Sequence, residues 1–390
     1  MARIPQPVRD LARGIARRMT VNEPQRQANP GIYGDPREIA AEAASRVAPE
    51  DPAMRQLFGV TRDDLYQMSQ GRVGNEAPNI PEAVRARGSA AGERVTTRRN
   101  ANRIVNILGE AEQYPELIQG SDAWYNMQPA YDRLEGLLGP VEGAEAFRRF
   151  NTFTGMASPG SDVLTEINRG TAANFLANQG RFGDFQRFGG MAESARGADF
   201  PADMSRVMGH PYHSTAHGTP MSSYVDTGQV NMQSPKVPLY IQSSGVPETG
   251  FQTSMPVGDA HFSRGIGLAD VRTNQDFGAS ITMPELRTVA PWWERQVANR
   301  VGIEPGTAQA RMWNVLGPQT GVDTPVGAPK LELLSRRIMQ ASQETGIPPE
   351  VLRDQVLMGR NYSSFAPAAP VGAGIMGGLL MDSPEESLVQ

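Results

Sequence analysis

The chain has 390 residues, 39% of them hydrophobic and 20% charged, with a formal net charge of −5. That length can enclose a sizeable core of one or two domains plus tails, and the mildly negative balance does not mark a general polyanion binder, although a local basic face is compatible with it. Cysteine is absent while Gly and Pro number 41 and 31, which excludes disulfides, thiolate metal sites, cysteine-ligated iron–sulfur clusters and cysteine nucleophiles and predicts long irregular stretches.

Residues 1–99 read as an N-terminal helical arm and linker. Val8, Leu11, Ile15 and Met19 recur at helical spacing with Arg9, Arg13, Arg17 and Arg18 between them, a short basic amphipathic helix suited to solvent, nucleic acid, a membrane surface or a partner. Asp35-Pro36 predicts a helix start running to Val47, because Pro at the first helical position costs no hydrogen bond. Thr61-Arg62-Asp63-Asp64 predicts another, with Thr as cap and acids in the first turn. Gly74 to Arg99 reads as linker.

Residues 100–322 hold the stronger helical patterns. Ile104, Ile107 and Leu108 mark one helix, and Trp124, Tyr131, Leu134 and Leu137 a second that stops at Gly139-Pro140. Ala144 to Phe153 forms a third, whose Phe147, Phe150 and Phe153 stripe is expected in the core. Asp162 to Leu176 reads as a fourth. Gly180 to Gln233 is Gly-rich and weakly periodic, an irregular insertion. Helix returns at Pro284–Val301 and Gly306–Leu316, and Trp292-Trp293 after Pro291 suggests a helix start with one indole buried and one at a rim. Residues 323–390 comprise C-terminal helices, Leu331–Thr345 and the stretch from Gly346 to Met358, then a flexible tail. Val237–Ser243 is the best strand candidate, and the fold class expected is mainly α.

Ala366–Met381 is too short and too rich in Gly and Pro to span a bilayer, and Met1-Ala2-Arg3-Ile4-Pro5 lacks a signal-peptide core. No membrane span is expected, and a virion or host-cytoplasm location fits. His210, His213 and His217 stand three and four apart, a spacing that would bind Zn²⁺ on a helix. Gly209, Pro211 and Gly218 argue instead for a loop, so no metal is assigned. Aromatics interleaved with Arg, as in Phe182, Phe185 and Phe188 with Arg181 and Arg187, can stack bases or seal a core edge. No phosphate loop, dinucleotide fingerprint or Ser-based triad is present, and no cofactor is expected.

Four segments stand out together. Ala157-Ser158-Pro159-Gly160-Ser161-Asp162 precedes Ile167-Asn168-Arg169-Gly170. Ser234-Pro235-Lys236-Val237-Pro238 carries one of only two lysines, the other being Lys330. Val257-Gly258-Asp259-Ala260-His261-Phe262-Ser263-Arg264 follows, and then Val301-Gly302-Ile303-Glu304-Pro305 with Gln309-Ala310 and Trp313. In this order they resemble the helix-hairpin-helix DNA glycosylase superfamily over about half the chain, as do uncharacterised phage proteins with the same landmarks. The resemblance implies a helical glycosylase-like domain acting on double-stranded DNA. It assigns Asp259 to stabilising positive charge on the sugar and Lys236 to attack at C1′ with Schiff-base formation, on a base taken out of the stack. Ser158, Asn168, His261 and Arg264 would lie on the DNA-binding side.

The chain departs from the family's pattern in several ways. The hairpin Gly-x-Gly before Lys236 is missing, so backbone amides lose their close approach to a phosphate. Pro235 and Pro238 remove two donors. Gly258 precedes the Asp, and no Gln stands where the family inserts one into the duplex. Asp259 alone is also an ordinary helix cap. The function expected is therefore that of a phage DNA-binding or DNA-processing protein with a degenerate glycosylase-like domain. The alternative is a non-enzymatic virion or ejected internal protein, partnered by other virion proteins, that keeps the fold as a scaffold.

Overall fold

The computed structural model describes residues 34–70, 89–159, 161–183, 218–230, 235–249, 255–268, 280–320 and 324–361. The basic segment at residues 8–19, the three clustered histidines, Phe185, Phe188 and the apolar tail lie outside that range. The fold is mainly α. No strand occurs among the described residues, where one isolated parallel bridge joins Val47 to Val326.

Helix starts follow local chemistry. The Asp35 side chain caps α1 (Pro36–Ser45) by accepting from Arg37 N, and Asp51 caps α2 (Pro52–Phe58) through Ala53 N. Both place Pro in the first turn, where a missing N–H costs nothing. Thr61 and Asp64 exchange hydrogen bonds ahead of α3 (Arg62–Gln70). The segment read as linker, Gly74 to Arg99, contains α4 (Ala90–Val95) and the start of α5 (Arg98–Ala111). Gly92 of α4 brings that helix against Thr288, whose Cβ would lie 2.9 Å from any added Cβ.

Next come α6 (Pro115–Asp122), α7 (Gln128–Leu138), α8 (Pro140–Met156) and α9 (Val163–Asn178). Phe147, Phe150 and Phe153 of α8 are all buried, each stabilising by about 1.5–3 kcal/mol through burial. Gly170 of α9 packs on α8 so closely that a Cβ would sit 2.4 Å from Thr154 Cα. After α10 (Thr219–Thr227), the segment expected as a strand is helix α11 (Lys236–Ser243). Its Leu239, Tyr240 and Ile241 are all buried, and Ile241 fits against α8 only because Gly155 has no side chain. A consecutive apolar run can serve either state, and here tertiary packing decides.

The remaining helices are α12 (Ala260–Gly265), α13 (Met283–Trp293), α14 (Asn299–Val301), α15 (Pro305–Thr320), α16 (Lys330–Thr345) and α17 (Pro349–Leu357). Pro291 lies inside α13 rather than at a helix start, and both Trp292 and Trp293 are buried. Residues Glu294–Ala298 continue α13 as a π-helical turn.

The core does not divide at residues 99 and 322. Ile39, Ala40 and Ala43 of α1 join α5, α12, α13 and α15 in one apolar cluster. Met54, Leu57 and Leu65 join α7, α8, α16 and α17 in another. Buried ion pairs tie distant segments together. Arg62 meets Glu332 at 2.5 Å, and Arg311 meets Asp122 at 2.8 Å. Arg353 donates to the Leu57 carbonyl. No helix among the described residues is long and apolar enough to cross a membrane.

Candidate active site

Asp259 is the N-cap of α12, in extended conformation with φ −83° and ψ 178°. Its Oδ1 accepts from Phe262 N at 2.6 Å, and its Oδ2 takes no hydrogen bond among the described residues. The preceding glycine has a steric reason. Ile281 N donates to the Gly258 carbonyl at 2.9 Å, and a Cβ at 258 would lie 3.0 Å from Ile281 Cβ. Phe262 anchors α12 edge-on against Trp293, ring centres 4.9 Å apart.

His261 and Arg264 converge on one atom. His261 Nδ1 lies 3.1 Å and Arg264 Nη1 2.7 Å from the Thr320 carbonyl at the end of α15. A carbonyl only accepts, so Nδ1 carries the proton and the neutral ring presents its lone pair at Nε2. Burial holds the His261 pKa below its ordinary value; Asp259 opposes this, and the Arg264 charge adds to it.

Lys236 is the first residue of α11 and donates through Nζ to the Ser158 carbonyl at 2.9 Å. The Lys236 and Asp259 charges both act on His261. These three side chains and Arg264 are half-buried, so solvent reaches this edge. Ser158 is buried beside them, and its hydroxyl has no hydrogen-bond partner among the described residues. Asn168 is also buried, with both amide atoms unpaired among the described residues. It stands two residues beyond Glu166 on α9, which turns it roughly 200° around the helix axis, away from the group that Glu166 joins.

Behind the half-buried edge lies a polar centre of which the motifs include only Gln309. Glu166 Oε1 and Lys330 Nζ are 3.1 Å apart, each side chain 3% exposed or less. Lys330 Nζ also sits 4.4 Å from the centre of the Tyr240 ring, within cation–π range. Tyr240 stands edge-on to Tyr125 at 5.8 Å, and the Tyr125 hydroxyl donates to Gln309 Oε1 at 2.9 Å. The Tyr240 hydroxyl feels the Glu166 charge but makes no hydrogen bond of normal geometry.

Burial pushes the Glu166 pKa up, with Lys330 pulling it back, and pushes the Lys330 pKa down against the pull of Glu166. Desolvation outweighs pairing for both, so burial disfavours the charged form of each group. Burial raises both phenol pKa values well above the ordinary one, and the Asp259 and Glu166 charges add to the effect.

Glu166, Lys330, Tyr240 and Tyr125 are thus not legible as a site, although Gln309 stands in the fourth segment. One signal existed: the chain has two lysines, and each is the first residue of a helix facing Glu166. The positive end of a helix disfavours an ammonium there. Among the described residues no group of three or more His, Asp or Glu could hold a metal, and His210, His213 and His217 fall outside them. No family model matches the chain, and no curated protein or solved structure matches it.

Proposed function

We propose that the chain is a DNA-processing protein with a degenerate glycosylase-like domain, acting on an N-glycosidic bond or an abasic site through Asp259 and Lys236. The observation that carries this reading is the placement of the two residues around His261, on a solvent-reached edge backed by the Glu166–Lys330 pair. The N-cap orients the Asp259 carboxylate and leaves Oδ2 to face positive charge building on a sugar. Lys236, once deprotonated, forms the bond from Nζ to C1′ while the base leaves with the glycosidic electron pair. Loss of the second amine proton and opening of the sugar ring then give the Schiff base.

A second reading has its own observation. Lys236 is bonded to the Ser158 carbonyl, and His261 and Arg264 to the Thr320 carbonyl. All three side chains hold helices together, as in a scaffold kept by a non-enzymatic virion protein. Duplexes carrying uracil, an oxidised purine, an alkylated base or an abasic site, incubated with borohydride, separate the two readings. A trapped adduct that disappears in Lys236→Ala supports the first. Absence of cleavage, trapping and salt-sensitive binding on every substrate rejects it in favour of the scaffold.

A further inference from the structure

A groove of about 450 Å³ opens between α4–α5 and α13, lined by Thr96, Arg98, Thr288, Trp292, Arg295 and Gln296. It lies outside the site described above. Arg98 and Arg295 are exposed, and among the described residues their side chains make no ion pair or hydrogen bond. Arg103, one turn further along α5, is by contrast engaged and donates to the Gly265 carbonyl.

Three local features make the groove unlike ordinary surface. First, α5 begins here with Thr97 as cap and no acid in its first turn. Arg98 and Arg99 occupy the first two helical positions, where the helix dipole favours an anion and disfavours a cation. An oxyanion beside Arg98 at this helix start offsets that cost. Second, Pro291 lacks an N–H and α13 passes into the π-turn Glu294–Ala298, which carries Arg295 and Gln296 to the rim. Such turns recur at functional sites. Third, Trp292 is 6% exposed, lines the groove and, among the described residues, leaves its indole N–H without a partner, an unusual omission for a buried donor.

We propose that this groove binds a phosphoryl group, with Arg98 at the start of α5 and Arg295 on the π-turn as the paired cationic arms. The nucleic-acid backbone is the favoured source. The groove is mechanically joined to the candidate active site, because Asn100 and Arg103 of α5 donate to the Ile266 and Gly265 carbonyls at the end of the helix that Asp259 caps. A strand phosphate seated here is held in fixed register with Asp259. To that extent the inference deepens the proposed function, but it stands or falls on a different measurement.

The test is fluorescence anisotropy with an undamaged duplex, in a Lys236→Ala background so that cleavage plays no part, across a range of salt. Arg98→Ala/Arg295→Ala is expected to weaken binding about tenfold or more and to flatten the salt slope by about two phosphates' worth. Its melting temperature is expected not to fall, since among the described residues neither guanidinium has a partner to lose and a cation at the start of α5 is unfavourable. Arg37→Ala/Arg55→Ala removes the same charge elsewhere and is expected to do neither. Inorganic phosphate and a nucleoside monophosphate form the second arm. A response to these that needs Arg98 and Arg295, without one to duplex, assigns the phosphoryl group to a free nucleotide. Equal losses in both double variants, or no effect of Arg98→Ala/Arg295→Ala on duplex, phosphate or nucleotide, overturns the site.

Discussion

Replacing Lys330 by Met tests how the polar centre is held. The two charges lie 3.1 Å apart, which corresponds to an attraction of about 5 kcal/mol at an effective dielectric of 20. Removing the ammonium leaves Glu166 buried with no cation of its own, and breaking a buried pair in this way typically costs ~3–5 kcal/mol. The cost depends on pH. Burial already raises the Glu166 pKa and Lys330 counters it, so in Lys330→Met the folded-state value rises further. A carboxyl whose folded pKa is raised favours the fold fully below its unfolded value of about 4.3 and loses that contribution as pH climbs through the folded value.

Lys330→Met is therefore expected to be strongly destabilised at pH 8 and to recover much of the deficit near pH 5. Glu166→Gln/Lys330→Met, which removes both charges, is expected to be more stable than Lys330→Met at pH 8. Urea unfolding followed by circular dichroism at the two pH values measures all of this. A Lys330→Met protein as stable as the parent at pH 8, or a deficit that grows on acidification, would refute the reasoning.

Asp259→Ala removes the cap on α12 and is expected to cost about 1 kcal/mol in a denaturant melt. Asp259→Asn retains capping, so unchanged stability with lost cleavage assigns chemistry to the carboxylate, whereas unchanged cleavage assigns it only structure. Gly170→Ala places a methyl 2.4 Å from Thr154 Cα and is expected to cost at least 1–3 kcal/mol by forcing α8 and α9 apart; a melt matching the parent would show that these helices adjust freely. Burial depresses the His261 pKa from 6.5. The stability tied to its neutral ring is thus present above that value and lost as pH falls below it. The parent is expected to lose more stability than His261→Gln between pH 7 and pH 5, and parallel loss in melting scans would remove His261 as the cause.

Much of the fold was legible because its helix boundaries are local. Asp35-Pro36, Thr61 with Asp64, Gly139-Pro140 and Asp162 each act within three or four residues. The apolar run of α11 was misread as a strand because nothing local identifies Gly155 as the surface that receives it. The linker was misread for a related reason: α4 is short and is held by Thr288, far along the chain. Trp292 and Trp293 were expected to divide between core and rim, yet Pro291 is tolerated inside α13 and both indoles are buried. At the candidate site, Asp259 as an N-cap could be read from its neighbours. Glu166 could not, since its partner Lys330 lies 164 positions away and only the finished core brings them together.

That separation has a consequence for biosynthesis. Chains emerge from the ribosome amino end first, and domains generally fold as units. Glu166 is made long before Lys330, and Met54, Leu57 and Leu65 long before Leu331, Leu334 and Leu352, which help enclose them. A nascent chain halted near residue 320 therefore holds a carboxylate with no buried counter-ion and an apolar face with no cover. Such an intermediate is expected to be recognised by chaperones and proteases, and stable folding to await emergence of the segment through Leu357.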